Sequence, residues 1–227
     1  MAPKPILYKM DASPPANAVR ILAELIGLEL EVRDRDFGTL EHKSAEHIKL
    51  NPMGTIPTLV DGDFVISESH ATMKYLLSVY GGDKAESLYP SDVRTRALVD
   101  QVMFFNVGIF FIRLKVIVLP ALFDDLDGPT EKHKADIDEA YGIVEAYLSP
   151  GKKYIINDSL TIADLSVGAT LIFAQIIHLF VHFRWLMRDI FKIIKIQKPH
   201  LISHVNKDLV FINFYGLKCS NLYGKRN

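Results

Sequence analysis

The hydrophobic pattern of this chain changes once, near residue 90, and that change limits the folds it can adopt. Before it, short apolar runs typical of strands alternate with stretches of helical spacing. From about Ser91 onward helical spacing dominates, and the segment Gly81–Pro90 has the composition of a linker. The pattern predicts two domains, at residues 1–81 and 91–227, joined by a linker at 82–90.

The first 80 residues predict an α/β domain. Lys4–Tyr8 is an apolar run without helical period, and Leu28–Val32 alternates between apolar and polar residues, so both predict strands. Asp61-Gly62 lies between two more apolar runs and predicts a hairpin, because this pair tolerates the positive φ values of a type I′ turn. Helices are predicted near 14–26, 41–50 and 67–80. The order of elements predicts a mixed four-stranded sheet with helices on its faces.

The second domain is predicted to be all-α, with helices near 91–119, 129–148 and 161–180. The third of these has the clearest start. Thr161-Ile162-Ala163-Asp164 is a capping element, and Leu160 and Leu165 flank it as a hydrophobic staple. Its predicted role is structural.

Composition excludes several classes of protein. With 26 Lys and Arg against 27 Asp and Glu, the net charge of −1 gives no electrostatic case for nucleic acid binding. One cysteine, Cys219, cannot form an intramolecular disulfide, and eight scattered histidines predict no metal site. The start of the sequence lacks the pattern of a signal peptide, so a reducing, cytoplasmic location is expected.

The two most apolar stretches, Met103–Phe123 and Leu171–Phe191, predict no membrane span, because charged and polar residues interrupt both. The charge is unevenly distributed: Arg184–Asn227 carries nine Lys and Arg and two Asp and Glu. Such a tail indicates either a basic segment that meets an anionic partner or a helix with a charged solvent face.

Three places in the first domain are candidates for chemistry. Ser13 lies between a strand and a helix that starts with Pro14-Pro15, where unpaired helix amides favour a bound anion such as a thiolate; the alternative is an ordinary N-cap. Ile56-Pro57 is a candidate cis bond that would present backbone groups to an extended peptide, although trans is the commoner state.

The third place is Glu68-Ser69, immediately before a helix. There a hydroxyl and first-turn amides could hold a ligand carboxylate, while the Glu68 carboxylate binds an ammonium group. The alternative is a helix cap with an acidic first turn.

Four motifs, taken together, resemble those of the cytosolic glutathione transferases, most closely the insect delta and epsilon classes. The resemblance covers about residues 4–180 and implies a thioredoxin-like N-terminal domain that binds glutathione. It further implies an all-helical C-terminal domain that shapes a site for the electrophile, and a homodimer. The motifs are Ser13-Pro14-Pro15, Asn51-Pro52 through Thr55-Ile56-Pro57-Thr58-Leu59, Glu68-Ser69-His70-Ala71, and Leu160–Asp164.

The resemblance assigns roles to single residues. Ser13 matches the serine whose hydroxyl donates to the glutathione sulfur and favours the thiolate. Ile56, before Pro57, matches the residue whose backbone pairs with the cysteinyl unit. Glu68 and Ser69 match the pair that holds the γ-glutamyl amine and carboxylate. Glutathione is thus the expected cosubstrate, and its sulfur rather than a protein side chain is the nucleophile.

His42 matches a histidine near the glycyl carboxylate of glutathione, but a second histidine expected nearby is missing. The family usually has Asn-Pro-Gln-His where this chain has Asn51-Pro52-Met53-Gly54, so weaker glutathione binding is expected. His70, also expected in the glutathione site, stands where delta enzymes often have arginine and epsilon enzymes histidine.

The electrophile is expected to bind against the first long helix of the second domain. Phe111 ranks first, since it matches an aromatic position lining this pocket in epsilon enzymes, and Leu119 replaces an acidic residue of that class, which favours hydrophobic electrophiles. Adjacent aromatics of the helix cannot all face one pocket. The candidates are Phe104, Phe111, Leu114, Lys115, Val118 and Leu119, with Phe211 of the tail a weaker one.

The sequence is also compatible with two alternatives to a transferase. A noncatalytic carrier of hydrophobic ligands on the same fold, with weak glutathione binding, is suggested by Gly54 and by the departure of the tail from the family pattern. A glutaredoxin-like thiol oxidoreductase is disfavoured, because Ser13 and Ala16 stand where such enzymes need cysteines.

Overall fold

A computed structural model describes residues 3–123, 129–148 and 151–175. The described residues form two compact units. The first comprises the described parts of Met1–Met103 and Ser159–Ala169, and the second those of Phe104–Asp158 and of the segment that starts at Thr170. The predicted end of the helix near 180 and the predicted roles of Phe211 and the basic tail lie outside the described residues.

The first unit contains the predicted mixed four-stranded sheet. Its strands are β1 (Ile6–Lys9), β2 (Glu31–Asp34), β3 (Thr58–Asp61) and β4 (Phe64–Ser67). The order across the sheet is β2-β1-β3-β4; β1 and β2 are parallel, and the other two pairs are antiparallel. This arrangement, with the helical region that follows, confirms the predicted thioredoxin-like domain.

Strand β2 begins later than the alternating pattern predicted. Leu28 and Leu30 precede it, and all four residues of the strand are exposed. Strand β2 lies at the edge of the sheet, where no second strand pairs with it among the described residues, and burial does not fix its register.

Three helices pack around this sheet: α1 (Pro14–Ile26), α2 (Ala45–Leu50) and α3 (Ser69–Tyr80). Helix α1 begins at its Ser13 N-cap with proline in the first turn and ends at Gly27, whose φ of +78° places it in the left-handed region. Its apolar face is fully buried and packs against α3. A single 3-10 turn, Glu41–Lys43, precedes α2.

The predicted linker contains a 3-10 turn, Gly82–Lys84, and the short helix α4 (Ala85–Leu88). The long helix predicted after it consists of α5 (Val93–Phe105), a π-helical turn at Asn106–Phe110, and α6 (Phe111–Phe123). Two further helices follow among the described residues, α7 (Glu131–Leu148) and α8 (Ile162–Gln175).

Aromatic rings fill the core of the second unit. Phe110, which is fully buried, contacts the rings of Phe105 and Tyr141, and Phe105 in turn meets Tyr147 edge to face. The aromatic residues of the long helix thus face different directions, as its geometry requires: Phe110 lies in this core, whereas Phe104 is 69% exposed.

Among the described residues, one continuous helical stretch, Val93–Pro120, is long and apolar enough to cross a membrane by length and composition. Core helices of soluble proteins meet the same criterion. The stretch contains Arg113, which donates to the backbone of α7 and pairs with Glu139.

At the start of α8 the Asp164 carboxylate reaches back to the Thr161 backbone as predicted, whereas the Asp164 amide, predicted to donate to the Thr161 hydroxyl, donates to the Thr161 carbonyl at 3.1 Å. Asp164 is buried and accepts two hydrogen bonds of 2.9 Å from Thr161, one from the backbone N–H and one from the hydroxyl. The hydroxyl therefore donates to the carboxylate, a contact that the sequence argument did not include. The buried carboxylate holds the chain at the point where the helix begins.

Replacing Asp164 with alanine should lower the free energy of unfolding by about 1–3 kcal/mol, because it removes a charge-assisted cap and leaves a buried N–H and hydroxyl unpaired. Urea unfolding of the full chain measures this. Asp158→Ala is the matched control, since Asp158 is exposed and should change the value by less than about 0.5 kcal/mol. Equal stability of the two variants would contradict the structural role.

Candidate functional site

Ser13 lies at the carboxyl end of the loop that joins β1 to α1. Its side chain is 7% exposed, its backbone N–H donates to the Met10 carbonyl at 3.0 Å, and its Oγ accepts from the Ala16 N–H at 3.4 Å. The geometry is that of an N-cap, so Ser13 has the structural role that its position before Pro14-Pro15 predicts. It does not exclude a second role, because the cap uses only the oxygen of the hydroxyl and leaves its proton available.

The unpaired helix amides expected beside Ser13 are not available, which corrects the sequence argument. Pro14 and Pro15 have no N–H, and the first amide of the helix, that of Ala16, already donates to Ser13. The next amide, of Asn17, donates to the Ser13 carbonyl at 2.9 Å. A sulfur at this position would therefore depend on the Ser13 O–H and the helix dipole rather than on free backbone donors.

Contacts from α1 hold the loop before Ser13. Asn17 donates to the Asp11 carbonyl at 2.7 Å, and Arg20 reaches the Asp11 carboxylate at 3.2 Å. Lys9, at the end of β1, is 4% exposed and forms ion pairs with Asp11 and Asp34. The loop that presents the Ser13 hydroxyl is thus bonded at both ends to regular structure.

The Ile56-Pro57 peptide bond is cis, as proposed from the sequence. A polar network that the sequence did not reveal holds the loop before it. The Thr55 carbonyl accepts from His47 Nε2 at 3.0 Å, from Asn51 Nδ2 at 2.9 Å and from the Thr58 hydroxyl at 3.1 Å. All three donors are at most 1% exposed, so the network fixes the backbone at Ile56 from inside the fold.

The residue types of α2 do not distinguish the buried His47 from its exposed neighbours. The one sequence signal is its spacing of four residues from Asn51, which places both side chains on one face of the helix.

Glu68 has an uncommon backbone conformation for a residue with a side chain, with φ of +69°. It precedes α3, yet its side chain makes no capping hydrogen bond and is exposed. The start of α3 therefore presents amides that the N-cap side chain does not cover, beside a solvent-facing carboxylate and the buried Ser69. Such an arrangement fits a carboxylate at the amides and an ammonium group at Glu68.

His42 is 7% exposed and stacks on Phe37, with ring centroids 3.8 Å apart. Its Nδ1 is buried and has no hydrogen-bond partner in the described part of the chain. Burial, and then the neighbouring charge of Lys43, lower the pKa of His42, so the imidazole is neutral near pH 7.

His70 connects two distant parts of the first unit. Its Nε2 lies 2.6 Å from the hydroxyl of Ser166 in α8, which is 96 residues away in the chain. Burial above all, and then the charge of Lys74, lower its pKa to about 4, although the Asp100 carboxylate acts in the opposite direction. His70 is thus a neutral internal contact, and a direct bond to glutathione stays a prediction.

The six residues predicted to bind the electrophile differ in accessibility. Leu114 is 2% exposed and Val118 8%, so they belong to the core of the second unit. Phe111 and Leu119 are half-buried, and Lys115 is exposed. With Phe104, those three present surface to a ligand, while the two core residues could only support the surface from behind.

Within the described residues, no group of three or more His, Cys, Asp or Glu side chains is arranged to hold a metal ion.

Comparison with known proteins identifies relatives over most of the described chain. A family model described as "Glutathione S-transferase, N-terminal domain" matches residues 3–78. Glutathione S-transferase 1 of Manduca sexta is 36% identical over 167 residues, which are 73% of this chain and 75% of that protein.

The solved structures that this chain resembles are also glutathione transferases. An epsilon-class glutathione S-transferase from Musca domestica is 38% identical, with a TM-score of 0.71 over 74% of this chain and 76% of that one. A glutathione transferase homologue from Drosophila mojavensis, solved with bound glutathione, is 40% identical, with a TM-score of 0.71 over 75% of this chain and 77% of that one.

The lowered pKa of His70 predicts a pH-dependent stability. In the unfolded chain the imidazole has its ordinary pKa of 6.5, so between that value and about 4 the unfolded state binds more protons than the folded state. Stability should therefore be complete above pH 6.5 and fall as the pH drops, by about 2 kcal/mol at pH 5.

Urea unfolding at about pH 7 and pH 5 measures this difference for the native chain and for His70→Gln. Glutamine keeps a hydrogen bond to Ser166 but has no titration, so the variant should lose less stability between the two pH values. The same loss in both proteins would show that His70 titrates normally.

Proposed function

Because this chain belongs to the glutathione S-transferase family, we propose that it joins the sulfur of glutathione to small hydrophobic electrophiles. In this reaction the thiol first loses its proton to solvent, and the thiolate then attacks an electrophilic carbon. A carbon–sulfur bond forms, and the leaving group departs with the electron pair of the bond that breaks. The protein must lower the pKa of the thiol and hold both reactants in position.

Ser13 carries the first of these tasks in the proposal. The supporting observation is that its Oγ accepts from Ala16, which orients the hydroxyl and leaves its proton for an external acceptor. A hydrogen bond to the thiolate favours the charged form, and the start of α1 adds the positive end of a helix dipole. Both lower the thiol pKa from its ordinary value near 8.5 toward neutral pH.

The other residues proposed to bind glutathione also lie in the first unit. The backbone of Ile56, beside the cis Pro57, pairs with the cysteinyl unit. The amides at the start of α3 with Ser69 hold the γ-glutamyl carboxylate, and the exposed Glu68 binds its amine. His42 is close to the glycyl carboxylate. These assignments come from the family resemblance, and the uncapped start of α3 supports them.

The electrophile is proposed to contact the accessible residues of the second unit, Phe104, Phe111, Lys115 and Leu119. Their surface is mostly apolar, which favours hydrophobic substrates and a role in detoxification. We further propose a cytoplasmic homodimer. The carrier of hydrophobic ligands is not favoured, because the curated relatives are named as transferases.

Replacing Ser13 with alanine should raise the pKa of bound glutathione by about one to two units, because a hydrogen bond to a charged group is worth about 1.5–3 kcal/mol. The thiolate absorbance of the complex, titrated against pH, measures this. Turnover of a chlorodinitrobenzene substrate near neutral pH should fall at least about tenfold.

The matched control for this variant is Thr130→Ala. Thr130 accepts the amide of His133 at 3.2 Å near the start of α7, so the change removes a similar hydroxyl cap elsewhere. It should leave the thiolate pKa unaltered. An equal thiolate pKa in Ser13→Ala and the native chain would remove Ser13 from the mechanism, whereas absence of any glutathione binding would refute the proposed function itself.

Phe111→Ala should raise the KM for an apolar electrophile about tenfold, because it removes an aromatic ring from the contact surface. The KM for glutathione should stay unchanged. Steady-state kinetics with each substrate varied separately test this. Val116→Ala serves as control, because Val116 is 48% exposed on the same helix and is outside the proposed site. If both variants behave alike, Phe111 does not line the pocket.

A further inference from the structure

The turn that leads from β1 to Ser13 is short and lies near the surface. The hydrogen bond of 3.0 Å from the Ser13 N–H to the Met10 carbonyl closes it, so Asp11 and Ala12 are its two central residues. Asp11 is exposed, and Met10 and Ala12 are half-buried, so burial of apolar side chains does not by itself fix the turn. The position of the Ser13 hydroxyl therefore depends on other contacts to these residues.

The cap at Ser13 holds the hydroxyl only weakly. Its Oγ lies 3.4 Å from the Ala16 nitrogen, whereas most N–H···O bonds in proteins measure about 2.9–3.0 Å. A small displacement of the turn would break this contact, and the hydroxyl would then rotate freely among its rotamers. Contacts that hold the turn thus decide whether the hydroxyl stays aimed at a ligand.

Asp11 receives such contacts from both sides of the turn. At the end of β1, the Lys9 ammonium group forms an ion pair with the Asp11 carboxylate. From α1, Arg20 reaches the same carboxylate oxygen at 3.2 Å, and Asn17 donates to the Asp11 carbonyl at 2.7 Å. Asp11 is thus the residue of the turn that is bonded to both the strand and the helix.

Burial of Lys9 makes this connection difficult to release. The Lys9 side chain is 5% exposed, and its ammonium group pairs with Asp11 and Asp34. A buried ammonium group without a partner is costly, so the folded state keeps carboxylates beside it. Asp34 lies opposite Lys9 in the parallel pairing of β1 and β2. Of these two carboxylates, that of Asp11 holds the turn and that of Asp34 holds the edge strand.

The cations also offset the negative charge of Asp11. A carboxylate two residues from Ser13 opposes the formation of a thiolate there, because a neighbouring like charge raises the pKa of a thiol. Lys9 and Arg20 both pair with one oxygen of this carboxylate, which neutralises much of its charge. A charged residue can therefore anchor the turn with little penalty to an anion bound nearby.

We propose that Asp11, held by Lys9 and Arg20, is a positioning residue that keeps the Ser13 hydroxyl directed at the sulfur of glutathione. The inference rests on the proposed function and deepens it, since it assigns a role in the reaction to a residue outside the assigned glutathione contacts. Asp11 acts through Ser13. It therefore affects the ionisation of bound glutathione and not its affinity.

Asp11→Ala tests this role through the sign of a pKa change. Loss of a negative charge would by itself lower the pKa of the bound thiol, so a rise can come only from a displaced hydroxyl. Titration of the thiolate absorbance of the glutathione complex should show a rise of about 0.5–1 unit, which is part of the change expected for Ser13→Ala. The dissociation constant of glutathione, measured by calorimetry, should stay within about twofold.

The variant should fold, because Lys9 keeps Asp34 as its partner. Asp11→Asn, which keeps the shape of the side chain but loses the charge that pairs with Lys9 and Arg20, should show a smaller rise of the same sign. The test therefore does not depend on one variant.

The pH profile of turnover provides a second measurement. Near neutral pH the kcat of Asp11→Ala with a chlorodinitrobenzene substrate should fall about two- to fivefold, because less of the bound glutathione is thiolate. The difference should disappear at a pH above the thiol pKa of both proteins, where ionisation is complete in each. A general disturbance of the structure would instead lower kcat at every pH.

Asp34→Ala is the matched control, since it removes the other carboxylate from the same ammonium group and leaves Lys9 paired with Asp11. It should leave the thiolate pKa within about 0.2 unit of the native value. In the Ser13→Ala background, Asp11→Ala should cause no further rise, because the hydroxyl through which Asp11 acts is gone.

Three results would overturn the inference: an unchanged or lower thiolate pKa in Asp11→Ala, an equal rise in Asp34→Ala, or a further rise in the Ser13→Ala background. Each of them is obtained with a native chain that binds and conjugates glutathione, so the proposed function would stand. If the native chain does neither, the proposed function itself fails.

Discussion

The proposed chemistry depends on one hydroxyl that uses its two hydrogen-bonding capacities separately. The Ser13 oxygen accepts from Ala16 inside the protein, and its proton remains for a ligand outside. Pro14 and Pro15 have no N–H, so the hydroxyl proton is the donor that this helix start offers to a bound anion. The rest of the first unit holds this group still: Asn17 and Arg20 of the same helix bind the preceding loop at Asp11.

Buried polar side chains likewise hold the backbone before Ile56 in place. His47 of α2, Asn51 at the end of the same helix and Thr58 of β3 all donate to the Thr55 carbonyl. Each of these groups would be costly to bury unpaired, so the network is stable only when the loop has this conformation. Buried side chains thereby fix the backbone of a half-buried loop.

The sequence predicted the parts of the structure that depend on neighbouring residues. The Ser13 cap, the β3–β4 hairpin and the Asp164 capping contact all arise within a few positions, where residue type restricts the backbone. The turn of the hairpin lies one residue later than predicted, at Gly62 and Asp63, because Asp61 pairs with Phe64, and only Gly62 has a positive φ. The contact between His70 and Ser166 spans 96 residues, so no local pattern could reveal it.

Helices α1 and α3 begin in opposite ways, and the difference matches two kinds of anion. At α1 the amides are absent or already bonded, so a ligand meets one hydroxyl proton, a single donor that suits a single sulfur atom. At α3 the N-cap residue is Glu68, which has a positive φ and whose side chain makes no capping hydrogen bond. The N-cap side chain therefore leaves the N–H groups of the first turn to a ligand. Several parallel N–H groups suit a carboxylate, which has two oxygens and a delocalised charge. In the proposed function the two helix starts bind different groups of one extended ligand, the sulfur at α1 and a carboxylate at α3, so that both contacts together orient the sulfur.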